Sequence, residues 1–134
     1  MIDVTCGIII DQNEVLVTQR SVKMRLPLKW EFPGGKMEPN ETAEACISRE
    51  LSEELNIEIE ILGKLTPSQF DYETFSINLI PFVAKIKFGK VLLREHKDYK
   101  WAKIEELRQF DWAPADIPIL EQFLNSKYAA TGTL

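Results

Sequence analysis

Arg49, Glu50, Glu53 and Glu54 crowd a guanidinium and three carboxylates into a short stretch of chain, and residues 43–55 around them contain no Pro or Gly and are rich in good helix formers. With about 100° between successive helical residues, Ala43, Cys46, Ile47, Leu51 and Leu55 form a broad apolar sector, while Ala45, Ser48 and Ser52 lie opposite. Glu50 and Glu54 fall within that apolar sector and Glu53 at its edge, so the spacing points three carboxylates inward. Burying like charges together costs several kcal/mol or more unless a cation compensates them or one is protonated. An all-oxygen set without a Cys or His partner selects hard ions, which favours magnesium over zinc and admits manganese as a substitute. The competing reading is an ordinary acidic helix face in water.

The elements that would carry this helix read as an α/β pattern. Residues 1–10 and 14–20 are β-rich runs around the polar turn Asp11-Gln12-Asn13, a hairpin signature. Residues 21–41 hold Pro27, Pro33, Gly34, Gly35 and Pro39, which exclude a continuous helix and predict a folded loop with one short strand near Trp30. Ile57, Ile59 and Ile61 alternate with glutamates at the period of a half-buried strand, and residues 77–88 continue the β pattern. Residues 99–102 suggest a short strand, residues 114–124 a closing helix, and residues 129–134 a frayed end. A mixed sheet packed between helices is the economical architecture, and 134 residues suffice for one domain spanning 1–134.

The formal charge of −5 argues against a polymeric nucleic acid, whose phosphates require clustered Lys and Arg. A free nucleotide remains compatible, because a bound divalent cation reverses the sign of an acidic site. Cys6 and Cys46 lack metal-ligand or CxxC spacing and read as reduced core residues. No secretory pattern or membrane-length apolar run appears, which predicts a cytoplasmic protein without membrane association.

Gly35, Glu41, Arg49, Glu50, Leu51, Glu53, Glu54 and Ile57 reproduce the spacing G-x5-E-x7-R-E-U-x-E-E-x-G-U, with Asn56 in place of the second glycine. The chain thereby resembles the Nudix hydrolases. Asn is the best non-glycine residue for the left-handed C-cap expected at position 56. The resemblance implies an α/β/α sandwich with a mixed β-sheet, and hydrolysis of a nucleoside diphosphate linked to another group. It makes Glu50, Glu53 and Glu54 the metal ligands and gives Glu50 and Glu53 catalytic roles. It also implies that the Gly34 carbonyl completes the metal shell. Arg49, four residues before Glu53, is assigned to orienting the carboxylates. Glu41 is expected in the helix's first turn, where an acid helps with or without catalysis.

Glu95 lies six residues before Trp101, as does a cleft glutamate in enzymes similar to MutT. That makes it a candidate ligand or general base, against the alternative of a solvated loop charge; His96 reads as a polar loop residue. The segment Trp30-Glu31-Phe32-Pro33-Gly34-Gly35-Lys36 resembles the MutT-like branch, and Ala113-Pro114-Ala115-Asp116-Ile117-Pro118 resembles bacterial CTP pyrophosphohydrolases. A carboxylate at Asp116 suits the exocyclic amino group of cytosine, although Pro118 also makes Asp116 an attractive helix N-cap. Phe32 is expected to wall the base pocket and Arg20 to contact phosphate or base, while Tyr72 and Phe75 fit either a pocket or strand packing. The predicted partner is a small nucleotide, most readily CTP, dCTP or a damaged deoxynucleotide, handled by a monomer or homodimer. Oxidised dGTP, ADP-ribose or a dinucleoside polyphosphate is the alternative substrate, and a non-catalytic nucleotide-binding module the alternative function.

Overall fold

Strand β1 (Ile2–Asp11) is buried from Thr5 to Ile9, a run that demands cover on both faces of the sheet. The computed structural model describes residues 1–131 and supplies that cover. Seven further strands follow: β2 (Glu14–Gln19), β3 (Trp30–Glu31), β4 (Gly34–Lys36), β5 (Ile57–Lys64), β6 (Ser68–Asp71), β7 (Ser76–Gly89) and β8 (Asp98–Lys103). The helices are α1 (Ala43–Leu55), α2 (Asp116–Leu124) and α3 (Lys127–Thr131), with a 3-10 helix at Ile104–Gln109.

The sheet path is β3-β2-β1-β7-β5, with β4 paired to β1, β6 to β7 and β8 to β2. It is mixed: β1 and β7 run parallel, from Ile2 opposite Ile77 to Ile9 opposite Ala84, and the other pairs are antiparallel. Alternation along the strands sorts the core into two clusters. Ile8, Val15, Val17 and Val83 pack on the side of Ile119, Leu120 and Phe123 of α2. Ile9, Leu16, Phe82 and Ala84 pack on the side of Ile47, Leu51 and Leu55 of α1. The expected α/β/α layering follows.

Where β1 leaves β2 it opens the cleft. The two strands pair only at Ile10 and Asp11, whereas Val4, Thr5 and Cys6 pair with β4. The loop that carries Gly34 and Gly35 is thus tied into the sheet beside the start of α1. Helix α1 begins at Thr42, whose hydroxyl accepts the Ala45 N–H at 3.1 Å, and ends at Asn56 with φ 61° and ψ 32°. The left-handed C-cap is therefore present without glycine.

Several elements depart from the sequence reading. The loop after β2 contains β4 as well as β3, because pairing with β1 supplies hydrogen bonds that Gly34 and Gly35 could not specify locally. Strand β6 and the 3-10 helix were not anticipated. Ala129 is not frayed: it is 7% exposed within α3 and packs on the α2 side of the core. Residues 132–134 of that expectation lie outside the described residues.

Candidate active site

Gly35 and Glu50 interlock. A Cβ built on Gly35 would overlap the Glu50 carboxyl, so the absent side chain is what lets the loop close over the helix. Cys46, one turn earlier, braces the same junction: its buried thiol lies 3.2 Å from the Thr5 hydroxyl and 3.4 Å from the Lys36 carbonyl oxygen. Gly34 packs against the other wall, where a Cβ would enter the Thr5 backbone.

Arg49 gathers the acids around this junction. Its Nε and Nη2 donate to Glu41 at 2.6 and 2.9 Å, Nη1 donates to Glu50 at 3.0 Å and Glu53 at 3.3 Å, and Nη2 also reaches the Lys36 carbonyl at 3.2 Å. The bond to Arg49, reinforced by the Glu38 N–H, holds the Glu41 carboxyl down at about 2, and the same contacts raise Arg49. Glu41 lies before the Thr42 cap rather than in the first turn, which Glu44 occupies, and its carboxylate serves Arg49 instead of the helix dipole.

The inward carboxylates are two, not three. Glu50 is largely covered and Glu54 half-buried, but the Glu53 side chain is 61% exposed, drawn along the rim by Arg49. Glu54 meets Glu50. Burial first, then the hydrogen bond and charge of Glu50, push Glu54 up to about 9, and the charges of Glu31 and Glu95 act in the same direction. Glu54 Oε2 is buried without a hydrogen-bond partner. Glu95 itself is exposed, on a loop facing residues 21–24 across a shallow hollow.

Among the described residues no three His, Cys, Asp or Glu side chains form a finished cation cage. The donor set nevertheless fits a hard divalent ion, which would relieve the Glu50–Glu54 contact and give the orphaned oxygen a partner. Glu50 and Glu54 could hold such an ion directly, and Glu53 would have to turn in from solvent.

A second group of acids lies deeper. Glu31, in β3, has a side chain 16% exposed and accepts from Arg20 Nη1 at 2.7 Å; its other oxygen lies 2.8 Å from His96 Nε2. His96 is a loop residue as expected, but a buried one: its side chain is 2% exposed, and Nδ1 is buried without a partner. Sequence reading assigned Glu31 no role, because its partners stand 11 and 65 positions away.

Asp116 and Phe32 come together here, although separated by 84 positions: the Phe32 N–H donates to Asp116 Oδ2 at 2.9 Å. Asp116 is not an N-cap. Ala115 precedes it in αR geometry, and Asp116 is the first residue of α2 with its side chain directed away from the helix N–H groups. Burial, followed by the charge of Glu31, raises Asp116 well above the usual carboxylate range, opposed by the Phe32 N–H and Arg20. A narrow pocket of about 80 Å³ opens beside it, lined by Cys6, Phe32, Tyr72 and Asp116 among others. The Phe32 ring is 2% exposed residue surface packed 4.7 Å from Trp112, and the Tyr72 hydroxyl accepts the Ala115 N–H at 3.1 Å.

A layered α/β/α frame whose loop glycines admit a pair of touching carboxyls, with a pocket lined by a buried aspartate, has the makings of a cation-assisted hydrolase of a small phosphorylated ligand. Residues 1–123 match the NUDIX domain, and the chain belongs to that family of hydrolases. It is similar to the CTP pyrophosphohydrolase of Escherichia coli strain K12, 36% identical over 124 residues that cover 92% of each chain. It is also similar to putative 8-oxo-dGTP diphosphatase 2 of Mycobacterium tuberculosis, 33% identical over 84% of this chain and 81% of that protein. The solution structure of the E. coli ORF135 protein superposes with a TM-score of 0.82 at 34% identity, covering 96% of this chain and 92% of the other. Nudix hydrolases generally use divalent metal ions. No helix among the described residues is long and apolar enough to cross a membrane.

Proposed function

We propose that this Nudix hydrolase cleaves nucleoside triphosphates to the monophosphate and pyrophosphate with magnesium, and that cytosine nucleotides are preferred. The observation that carries the base preference is the buried Asp116 carboxyl in the wall of the narrow pocket, with one oxygen engaged by Phe32 N–H. Its other oxygen has no hydrogen-bond partner among the described residues, which leaves an acceptor for an exocyclic amino group. The similarity to a CTP pyrophosphohydrolase supports the same reading.

In the reaction, water adds to a phosphorus of the triphosphate, one phosphoanhydride bond breaks, and the departing phosphate oxygen carries off the bonding pair. A bound magnesium ion neutralises phosphate charge and lowers the pKa of water held beside it. Glu50 and Glu54 would hold that ion, and the Gly34 carbonyl would complete its shell, as the resemblance to the family implies. Glu53, exposed at the rim beside Arg49, is suited to take the proton of the attacking water. Glu95 is the other candidate for that base, near enough for its charge to raise Glu54. Arg49 fixes the orientation of Glu50 and Glu53 and is balanced by Glu41.

Hydrolysis of oxidised dGTP is the second reading, supported by the Mycobacterium tuberculosis relative. A raised Asp116 bears on it, because a protonated carboxyl also offers a donor to the O6 of a purine. The experiment is pyrophosphate release with magnesium from CTP, dCTP, 5-substituted dCTP, oxidised dGTP, ADP-ribose and a dinucleoside polyphosphate. Wild type, Glu53→Gln and Asp116→Asn are compared. Cytosine nucleotides should lead, Glu53→Gln should abolish turnover, and Asp116→Asn should change the cytosine-to-guanine ratio by about tenfold or more. An unchanged ratio would remove Asp116 from base selection. Release led by oxidised dGTP would replace the substrate while keeping the chemistry.

A further inference from the structure

Three cations face one cleft of about 270 Å³. Arg20, Arg25 and Lys36 line it together with Gly35, Phe75 and Ile77, and its lining contains no carboxylate side chain. In a chain of net charge −5, that is a local reversal of sign. The cleft adjoins the Asp116 pocket, with Val4 and Ile77 lining both. Gly35, which also lines it, lies against the Glu50 carboxyl.

The cations differ in what they have left to give. Arg20 is committed, its Nε donating to the Arg25 carbonyl at 2.5 Å and its Nη1 to Glu31 at 2.7 Å. Those bonds shape the loop: Leu28 N–H returns to the Arg20 carbonyl at 3.0 Å, and Leu26 and Leu28 are held at φ 50° and 66°, costly for branched side chains. Strain of this kind persists where the surrounding structure over-determines a loop, as at ligand clamps. The result is that Arg25 projects across the cleft. Its guanidinium carbon stands 4.7 Å from the centroid of the Phe75 ring, which in turn stacks on Tyr72 with centroids 5.0 Å apart. No side-chain hydrogen bond or ion pair of Arg25 to another described residue accompanies this stacking, so its donors are oriented by the ring yet unspent.

We infer that Arg25, steadied on Phe75, is the clasp that grips the polyphosphate tail of the substrate as it passes from the Asp116 pocket toward Glu50. The inference rests on the nucleotide reading above and adds a residue that acts on the tail, not on the base. A planar guanidinium forks onto phosphate oxygens where an ammonium meets them as a point charge. It also moves the phosphate contact expected of Arg20 onto a neighbour, because Arg20 serves as the strut that aims Arg25.

The test is titration calorimetry in EDTA with CTP, CMP and inorganic tripolyphosphate as probes, on wild type, Arg25→Ala, Arg25→Lys and Phe75→Leu. Arg25→Ala should weaken CTP and tripolyphosphate by about 10–100-fold and leave CMP within about twofold. Arg25→Lys should recover part of the loss. Phe75→Leu, which keeps an apolar side chain but removes the ring, should lower the CTP-to-CMP ratio in the same direction. Equal losses for CTP and CMP would show that Arg25 supports the loop or the nucleoside, and unchanged CTP affinity would likewise overturn the clasp. Wild type that binds neither CTP nor tripolyphosphate would also overturn it. Arg25-dependent binding of tripolyphosphate with no binding of any nucleotide would instead sink the nucleotide reading and leave the clasp standing.

Discussion

Replacing Gly35 by alanine asks whether the bare loop exists to seat Glu50. The new methyl carbon would lie 2.4 Å from the Glu50 carboxyl carbon and 2.5 and 2.6 Å from its two oxygens, where 3.4 Å is the near limit of ordinary contact, so the carboxyl must retreat by about 1 Å. The backbone at 35 needs no left-handed conformation, and Glu50 is a flexible chain end, so the fold can absorb the change. Alanine also restricts the unfolded chain, an effect of about 0.4–1 kcal/mol in favour of folding that partly offsets the crowding. Stability should therefore move little, within about 5 °C of melting temperature. Turnover should not be spared, because a catalytic group displaced by about 1 Å loses about 100-fold in rate. The assay is kcat/KM for pyrophosphate release with CTP, paired with calorimetric melting. Gly34→Ala is the contrast: its Cβ meets the Thr5 backbone, which cannot swing away, so that variant should lose stability first. Gly35→Ala with activity within about threefold of wild type would refute the reasoning, since a displacement that size cannot leave a working Glu50 untouched.

Asn56→Ala should destabilise by about 1–2 kcal/mol in urea titrations while Asn56→Gly is nearly neutral, because φ is 61° at this cap; equal stability of the two would contradict the cap argument. Asp116 holds its proton above the pH at which the unfolded chain releases it, so the folded state loses ground as pH rises past the usual carboxylate range. Asp116→Asn should then melt above wild type at neutral pH, with the gap closing by about pH 3.5, where both states of the wild type are protonated; a gap independent of pH would count against it. Magnesium should raise the melting temperature of wild type, by an amount equivalent to about 2.7 kcal/mol at 100 times its dissociation constant. Glu54→Gln should melt higher than wild type in EDTA, since it removes the contact between carboxyls, and should lose most of the magnesium response. An undiminished response would place the cation elsewhere.

How far the site could be read in advance depended on whether its constraints were local. Helix α1 was legible as thirteen residues without a breaker carrying a helical period up to the left-handed cap at Asn56, whereas Glu41, expected in its first turn, lies outside it because Thr42 is the N-cap. The paired strands β1 and β2 were legible for the same reason, being β-rich runs about a polar turn. Strand β6 was not, since Ser68-Gln69-Phe70-Asp71 has no strand pattern of its own and is ordered by pairing with β7. The wheel placed Glu53 at the edge of the apolar sector, and only the bridge from Arg49 decides that it leans outward. Glu31 and His96 carry no spacing signal at all, because β3 and the loop before β8 meet only when both lie against β2.

That non-local pairing explains why the acids do not simply repel the fold apart. Glu31 is held between Arg20 and His96, Glu41 and Glu50 share Arg49, and Asp116 has a backbone N–H, so each buried acid but one has a donor within the protein. The exception is Glu54, whose Oε2 is buried without any. Leaving a polar atom unmet in this way is expensive, and it falls on the carboxyl that touches Glu50 beneath Gly35. The unmet oxygen of Glu54 is where a divalent cation would serve, and the unspent guanidinium of Arg25 lines the neighbouring cleft, where phosphate would arrive.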